Sequence, residues 1–101
     1  MLGFSEIFYI DTVDNKVFIY ASGEVFESKQ KLYELEERLT GLDFLRVSKS
    51  TIINMRKIKF LSPALSGRFE AVLKNDERVI ISRGYVPELK ERLGIGGQNE
   101  R

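Results

Sequence analysis

The sequence predicts a mostly β, α+β domain: small antiparallel β-structure with one main α-helix. Short runs rich in Ile, Val, Phe and Tyr recur along the chain, turn-forming residues separate them, and leucines take helical spacing in a single long segment. The runs "IFYIDT" and "KVFIYA" flank "VDN", where Asp14-Asn15 forms a turn, and so read as a hairpin. Each run is too uniformly apolar to leave one side open to water. Ser22-Gly23 then turns the chain into "EVFES". Ser28 is positioned to cap a helix from about Lys29 to Thr40, with Leu32, Leu35 and Leu39 on one face. Glu34 and Arg38 are spaced as an i,i+4 pair, and Gly41 stops the helix.

After Gly41 the pattern returns to strands. "DFLRVS" leads in, "KIKFLS" follows a basic stretch, and Pro63 with Ser66-Gly67 marks a turn. "RFEAVL" and "RVIIS" flank "KNDE", an Asn-Asp turn, and form another hairpin. Tyr85 to Leu93 has room for one or two helical turns. The 101 residues amount to one domain, expected over 1–93, with 94–101 as a glycine-containing flexible tail.

Composition removes several chemistries. The chain has no cysteine and no histidine, which excludes disulfides, thiolate metal sites and Ser-His or Cys-His nucleophiles. Asp11 and Asp14 lie close in sequence, but a carboxylate pair beside a turn is expected to be solvated, and Gly96-Gly97 precedes no helix. No catalytic site, cofactor or metal is expected. No apolar run approaches the ~18 residues of a membrane span, so a cytoplasmic protein is expected.

A formal net charge of +1 hides an asymmetry. Residues 1–43 hold nine acids and four bases. Residues 44–69 hold Arg46, Lys49, Arg56, Lys57, Lys59 and Arg68 with no acid at all. Within that stretch, "FLRVSKSTIIN" sets unpaired cations and hydroxyls among aliphatic residues. One reading is a solvated face whose bases pair with the acids of the first segment. The other is a local positive patch for nucleic acid, which responds to local rather than total charge.

"FLRVSKSTIINMRKI", then a spacer, then a hairpin ending "VIISRGYVPELKERL", resembles the LytTR DNA-binding domain of bacterial transcription regulators. The upstream "FYIDTVDNKVFIYASGEVF" and the leucine-spaced helix follow in the family's order, so the resemblance spans about Ile7 to Leu93. It implies small antiparallel sheets packed at an angle, with duplex DNA read by loops in successive major grooves. The loops correspond here to Val13–Lys16, Arg46–Ser50 and Ser82–Tyr85. Many members have histidine where this chain has Ser48, and Arg or Asn where it has Lys49, so the bases read need not be shared. The resemblance further implies promoter direct repeats as the target, two copies of the domain on DNA, and a receiver domain joined to it in many members.

The residue chemistry agrees with the resemblance. Lys49 and Arg83 are the candidates for base edges, since Arg and Lys donate to the O6 and N7 acceptors of guanine. Ser48, Ser50 and Tyr85 are candidates for phosphate contacts, and Gly84 permits close backbone approach. Asn15 and Lys16 are secondary candidates. Arg46 either contacts a phosphate or braces its loop; Arg83 has Glu88 as an alternative partner. Asn54 suits an Asx-turn, while Arg56, Lys57 and Lys59 are expected to raise the local potential. Two other function classes fit less of the sequence: a protein-interaction or dimerisation module, and a single-stranded nucleic-acid binder stacking bases on Tyr and Phe.

Overall fold

The structure is a computed structural model, and it describes residues 3–94. Eight strands form two antiparallel sheets. The larger has five strands in the order β3-β2-β1-β5-β4, comprising β1 (Ile7–Val13), β2 (Lys16–Ala21), β3 (Glu24–Ser28), β4 (Phe44–Arg46) and β5 (Thr51–Asn54). The smaller has the order β6-β7-β8, from β6 (Ile58–Pro63), β7 (Phe69–Leu73) and β8 (Arg78–Ile81). Two helices accompany them, α1 (Leu32–Arg38) and α2 (Val86–Leu93).

The turns follow local chemistry. Asp14 and Asn15 both take positive φ, 53° and 66°, as a two-residue hairpin of primed type requires. At the β7–β8 turn Asp76 is the left-handed residue, at φ 70°, and Asn75 Oδ1 accepts from the Glu77 N–H at 3.1 Å.

Helix α1 is shorter at its start than the leucine spacing suggests. Ser28 does not cap it: its hydroxyl accepts from the Gln30 N–H at 2.9 Å and makes a turn ahead of the helix. Glu34 instead reaches back to the Lys31 N–H at 2.7 Å, satisfying one of the helix's orphan donors. Glu34 is therefore engaged with backbone, and Arg38 donates to Gln30 Oε1 at 2.9 Å, so the expected Glu34–Arg38 pair does not form. The second helix α2, with eight residues, is as substantial as α1. Pro87 near its start and Gly94 at φ 75° after its end explain its limits. The expected tail beyond Gly94 lies outside the described residues.

The five-stranded sheet is buried on both faces where it matters. On one face Ile7, Ile10, Val17, Phe44 and Ile52 pack against Leu32, Leu35 and Leu39 of α1 and the turn after it. On the other, Phe8, Leu45, Val47 and Ile53 pack against Ala71, Leu73, Val79 and Ile81 of the smaller sheet and Val86 and Leu89 of α2. Successive residues of β5 thus enter different cores, which is why "TII" shows no polar alternation. A register shift between Ile7 and Tyr9 puts both Phe8 and Tyr9 with the second core.

Asn54 closes β5 as its sequence context suggests. Its buried amide donates to Ile7 O at 2.8 Å and accepts from the Arg56 N–H at 3.0 Å.

Ile53 is fully buried between the two sheets. Ile53→Ala should lower unfolding stability by about 2–5 kcal/mol, combining lost transfer energy with a residual cavity. Urea unfolding measures this; a change below ~1 kcal/mol would mean that this core collapses around the gap or is not the one described.

Candidate nucleic-acid interface

Strand direction determines which loops share an end. β1 and β5 are antiparallel, with Asp11 opposite Thr51, so the β1–β2 hairpin tip and the loop entering β5 emerge together. The Thr12 N–H donates to Ser50 O at 2.9 Å and ties the two. β8 ends at the same place, where the Ser82 N–H donates to Val47 O at 2.9 Å. The loops around Val13–Lys16, Arg46–Ser50 and Ser82–Tyr85 are therefore joined at their bases by backbone hydrogen bonds.

The basic loop is ordered from within. The Val47 N–H donates to Thr51 O at 2.9 Å, and Ser48 Oγ accepts from the Ser50 N–H at 3.1 Å. Arg46 donates through Nε to Ser48 O at 2.8 Å, through Nη1 to Glu36 Oε1 at 2.8 Å, and through Nη2 to Lys49 O. All three guanidinium nitrogens are thus engaged, which makes Arg46 a brace. Ser48 and Ser50 face each other at 3.4 Å, and Ser50 lies 3.3 Å from Thr51 Oγ1. Thr51 in turn donates to Asp11 Oδ1 at 2.9 Å. Asp11 is therefore not a merely solvated carboxylate: it also accepts from the Thr12 N–H and anchors the row of hydroxyls.

Lys49 is exposed, and its ammonium has no hydrogen-bond or ion-pair partner among the described residues. Arg83 is likewise exposed and makes no pair with Glu88 among the described residues. Its aliphatic stem lies across Gly67, where a Cβ would come within 2.7 Å of Arg83 Cδ. Gly67 holds φ at 76°, the left-handed region that favours glycine, and its lack of a Cβ leaves room for the Arg83 stem. The neighbouring Arg68 donates through Nε to Leu65 O at 3.1 Å. Tyr85 is half-buried against the core of the two sheets. Asn15 and Lys16 are exposed at the hairpin tip.

The remaining bases of the central stretch sit elsewhere. Arg56 and Lys57 follow the opposite end of β5, a strand's length of ~13 Å from the loop. Arg56 pairs with Asp43 at 2.9 Å, Lys59 pairs with Asp76 at 2.8 Å, and the Lys57 ammonium lies 4.9 Å from the centre of the Phe8 ring. The Lys59 ammonium holds Asp76 below the usual carboxylate range. These three do not reinforce the loop, contrary to the expectation of one shared patch. The expectation that these bases pair with acids of the first segment thus holds for Arg56 and in part for Arg46.

Behind the loops, Tyr9, Asp11, Ser48, Ser50, Thr51, and Ser82 line a polar recess. Tyr9 stacks on Tyr20 at 4.4 Å between ring centres. Burial pushes its phenol well above the ordinary tyrosine range, and the nearby Glu77 carboxylate and Tyr20 add to the shift. Neutral Tyr9 therefore adds no negative charge beside the loops. Among the described residues, no group of three or more acidic side chains is placed to hold a metal, and no helix is long and apolar enough to cross a membrane.

The family model of the LytTr DNA-binding domain matches residues 1–94. The chain belongs to the LytTR family. A solved structure described as the LytTr DNA-binding domain of a methyl-accepting/DNA response regulator from Bacillus cereus superposes with a TM-score of 0.88. It is 30% identical, over 93% of this chain and 86% of that one. The sensory transduction protein LytT of Bacillus cereus is 30% identical over 95 residues, 94% of this chain and 39% of that protein. LytT of Enterococcus faecalis is 28% identical, over 89% of this chain and 37% of its own length. An uncharacterized HTH-type transcriptional regulator of Staphylococcus aureus is 33% identical over 94% of this chain and 64% of its own. This LytTR chain thus spans well under half the length of its LytT relatives. Its fold, mostly β with two antiparallel sheets, is that of the family, and DNA binding is the role of a LytTR domain.

Three contributors had no clear signal in the sequence. Gly67 read only as a turn residue and Asp11 only as a carboxylate near a turn, and Glu36 carried no signal at all. Each acts through a partner distant in sequence, respectively Arg83, Arg46 and Thr51.

Proposed function

We propose that this LytTR domain reads duplex DNA for a bacterial transcription regulator working in the cytoplasm, entering major grooves with its joined loops. The observation that carries this is the contrast, among the described residues, between exposed loop cations without hydrogen-bond or ion-pair partners and their engaged neighbours. Lys49 and Arg83 project from loops tied through Val47 and Ser82, while Arg46 is consumed in bracing. Lys49 and Arg83 are assigned to base edges, and Ser48, Ser50 and Tyr85 to phosphates. Asn15 and Lys16 extend the contact from the hairpin tip. A single-strand reading finds little support, because the only aromatic of these three loops, Tyr85, is half-buried. The likeness to LytT proteins also supports a fused receiver domain as the source of regulation.

The primary test is salt. With ~4–6 phosphates neutralised, log K for duplex DNA should fall against log salt with a slope of about −0.9 per phosphate. A flat response would remove the DNA-reading proposal.

Lys49 and Arg56 should behave differently. Lys49→Ala should weaken a preferred duplex more than random DNA, since a base contact discriminates by about 1–3 kcal/mol. Arg56, distant from the loop and paired with Asp43, should on replacement by Ala weaken both by similar small amounts. An unchanged ratio of preferred to random affinity in Lys49→Ala would end its base-reading assignment.

A domain this small offers limited affinity and information alone. We place two copies head-to-tail on promoter direct repeats, with centres about two helical turns, ~20–22 base pairs, apart. Inserting half a turn between repeats should abolish joint occupancy, and a full turn should restore part of it. A footprint over one inverted repeat, or indifference to the half-turn insertion, would defeat this arrangement while leaving DNA binding intact.

A further inference from the structure

We propose that Glu36, on helix α1 and outside the three loops, is a positioning residue for base reading that acts through Arg46; this deepens the DNA-reading proposal and rests on it. The argument begins with what holds Lys49. The backbone ties to Thr12, Thr51 and Ser82 involve Ser50 and Val47, on either side of the tip. Ser48 Oγ secures the Ser50 N–H. The Lys49 carbonyl has one hydrogen-bond partner among the described residues, Arg46 Nη2, and Ser48 O accepts from Nε of the same guanidinium. Two successive carbonyls at the loop tip therefore converge on one planar, five-donor group, and its orientation sets the direction in which Lys49 leaves the loop.

Glu36 fixes that group from the other side. Its carboxylate accepts from Nη1 at 2.8 Å, and the Arg46 side chain retains only 23% of its exposure. Glu36 is itself held by α1, which is anchored through buried Leu32, Leu35 and Leu39. A rigid element thus reaches the loop through one charge-assisted bond. Without Glu36, the guanidinium would be restrained only by carbonyls of the loop it is meant to hold.

The assignment makes an unusual prediction of sign. A carboxylate near a DNA-facing loop repels phosphates, so removing one ordinarily strengthens binding to every duplex. If Glu36 positions the loop, its removal instead lowers discrimination. Glu37, exposed on the same helix and without an ion-pair partner among the described residues, supplies the electrostatic control.

The experiment measures affinity for a selected duplex and a random duplex, together with hydrogen exchange of the amides of residues 48–51. Glu36→Ala should reduce the preferred-to-random ratio at least ~5-fold, the low end of what one base contact discriminates, and should speed exchange in the loop. Glu36→Gln, whose amide oxygen still accepts from Nη1, should fall between the two. Glu37→Ala should raise both affinities slightly with the ratio unchanged. In an Arg46→Ala background, Glu36→Ala should cause no further loss of ratio. Should Glu36→Ala fail to fold, Glu36→Gln and Arg46→Lys carry the test, since lysine cannot reproduce the three-way fork. If the Glu36 variants behave like Glu37→Ala, or lose the ratio equally without Arg46, the assignment is overturned. A wild-type domain with no duplex preference would instead sink the base-reading proposal, and the exchange data would still report on the clamp.

Discussion

Everything in this domain is organised around β5, four residues buried on both faces of the larger sheet. Ile52 enters the core under α1 and Ile53 enters the core shared with the smaller sheet, so the strand cannot slip by one residue without exchanging its side chains between cores. That constraint sets the functional loop as well. Because Thr51 is held opposite Asp11 and Arg46 opposite Ile52, the four residues from Val47 to Ser50 must leave the sheet and return at fixed points. The strand's other end is fixed by Asn54, whose amide joins it to the start of β1.

The same organisation shows how a chain with a net charge of +1 can carry exposed cations on the loops proposed to meet DNA. Charge is sorted by which end of β5 it leaves. At one end Lys49 and Arg83 have no partner among the described residues; at the other, Arg56 and Lys59 face acids supplied by Asp43 and Asp76. Under the proposed reading, pairing at the far end would concentrate attraction to phosphate at the loops and favour an oriented encounter over indiscriminate adhesion.

Much of this was legible in the sequence. The strand runs, both principal hairpins, the leucine stripe and Asn54 were readable because each depends on neighbours a few residues away. The start of α1 was not, because Ser28 had two local uses open to it, a cap and a turn, and spacing alone does not choose between them. The family resemblance brought together the three loops; no periodicity would have done so. What the sequence could not convey was the state of each base. Arg46, Arg56 and Lys59 look alike in composition, yet each is occupied by a partner that only the folded chain brings near. Gly67 was opaque for the same reason: the Arg83 stem that lies across it is brought there only by the fold.

The division between occupied and free cations also bears on the energetics of recognition. Arg46 already commits three of its five N–H groups to two carbonyls and a carboxylate, and those bonds fix its position in the loop. Lys49 and Arg83 make no such side-chain bonds among the described residues. Their cost on binding is side-chain ordering, and the surrounding structure reduces it unequally. The Arg83 stem is already seated on Gly67, whereas Lys49 is restrained only through its backbone. In the proposed contact, Arg83 would therefore meet DNA with part of its ordering cost already met in folding. Lys49 depends on the loop beneath it, so under the proposed base reading the rigidity of that loop, more than the lysine's charge, sets how sharply this position would discriminate among bases.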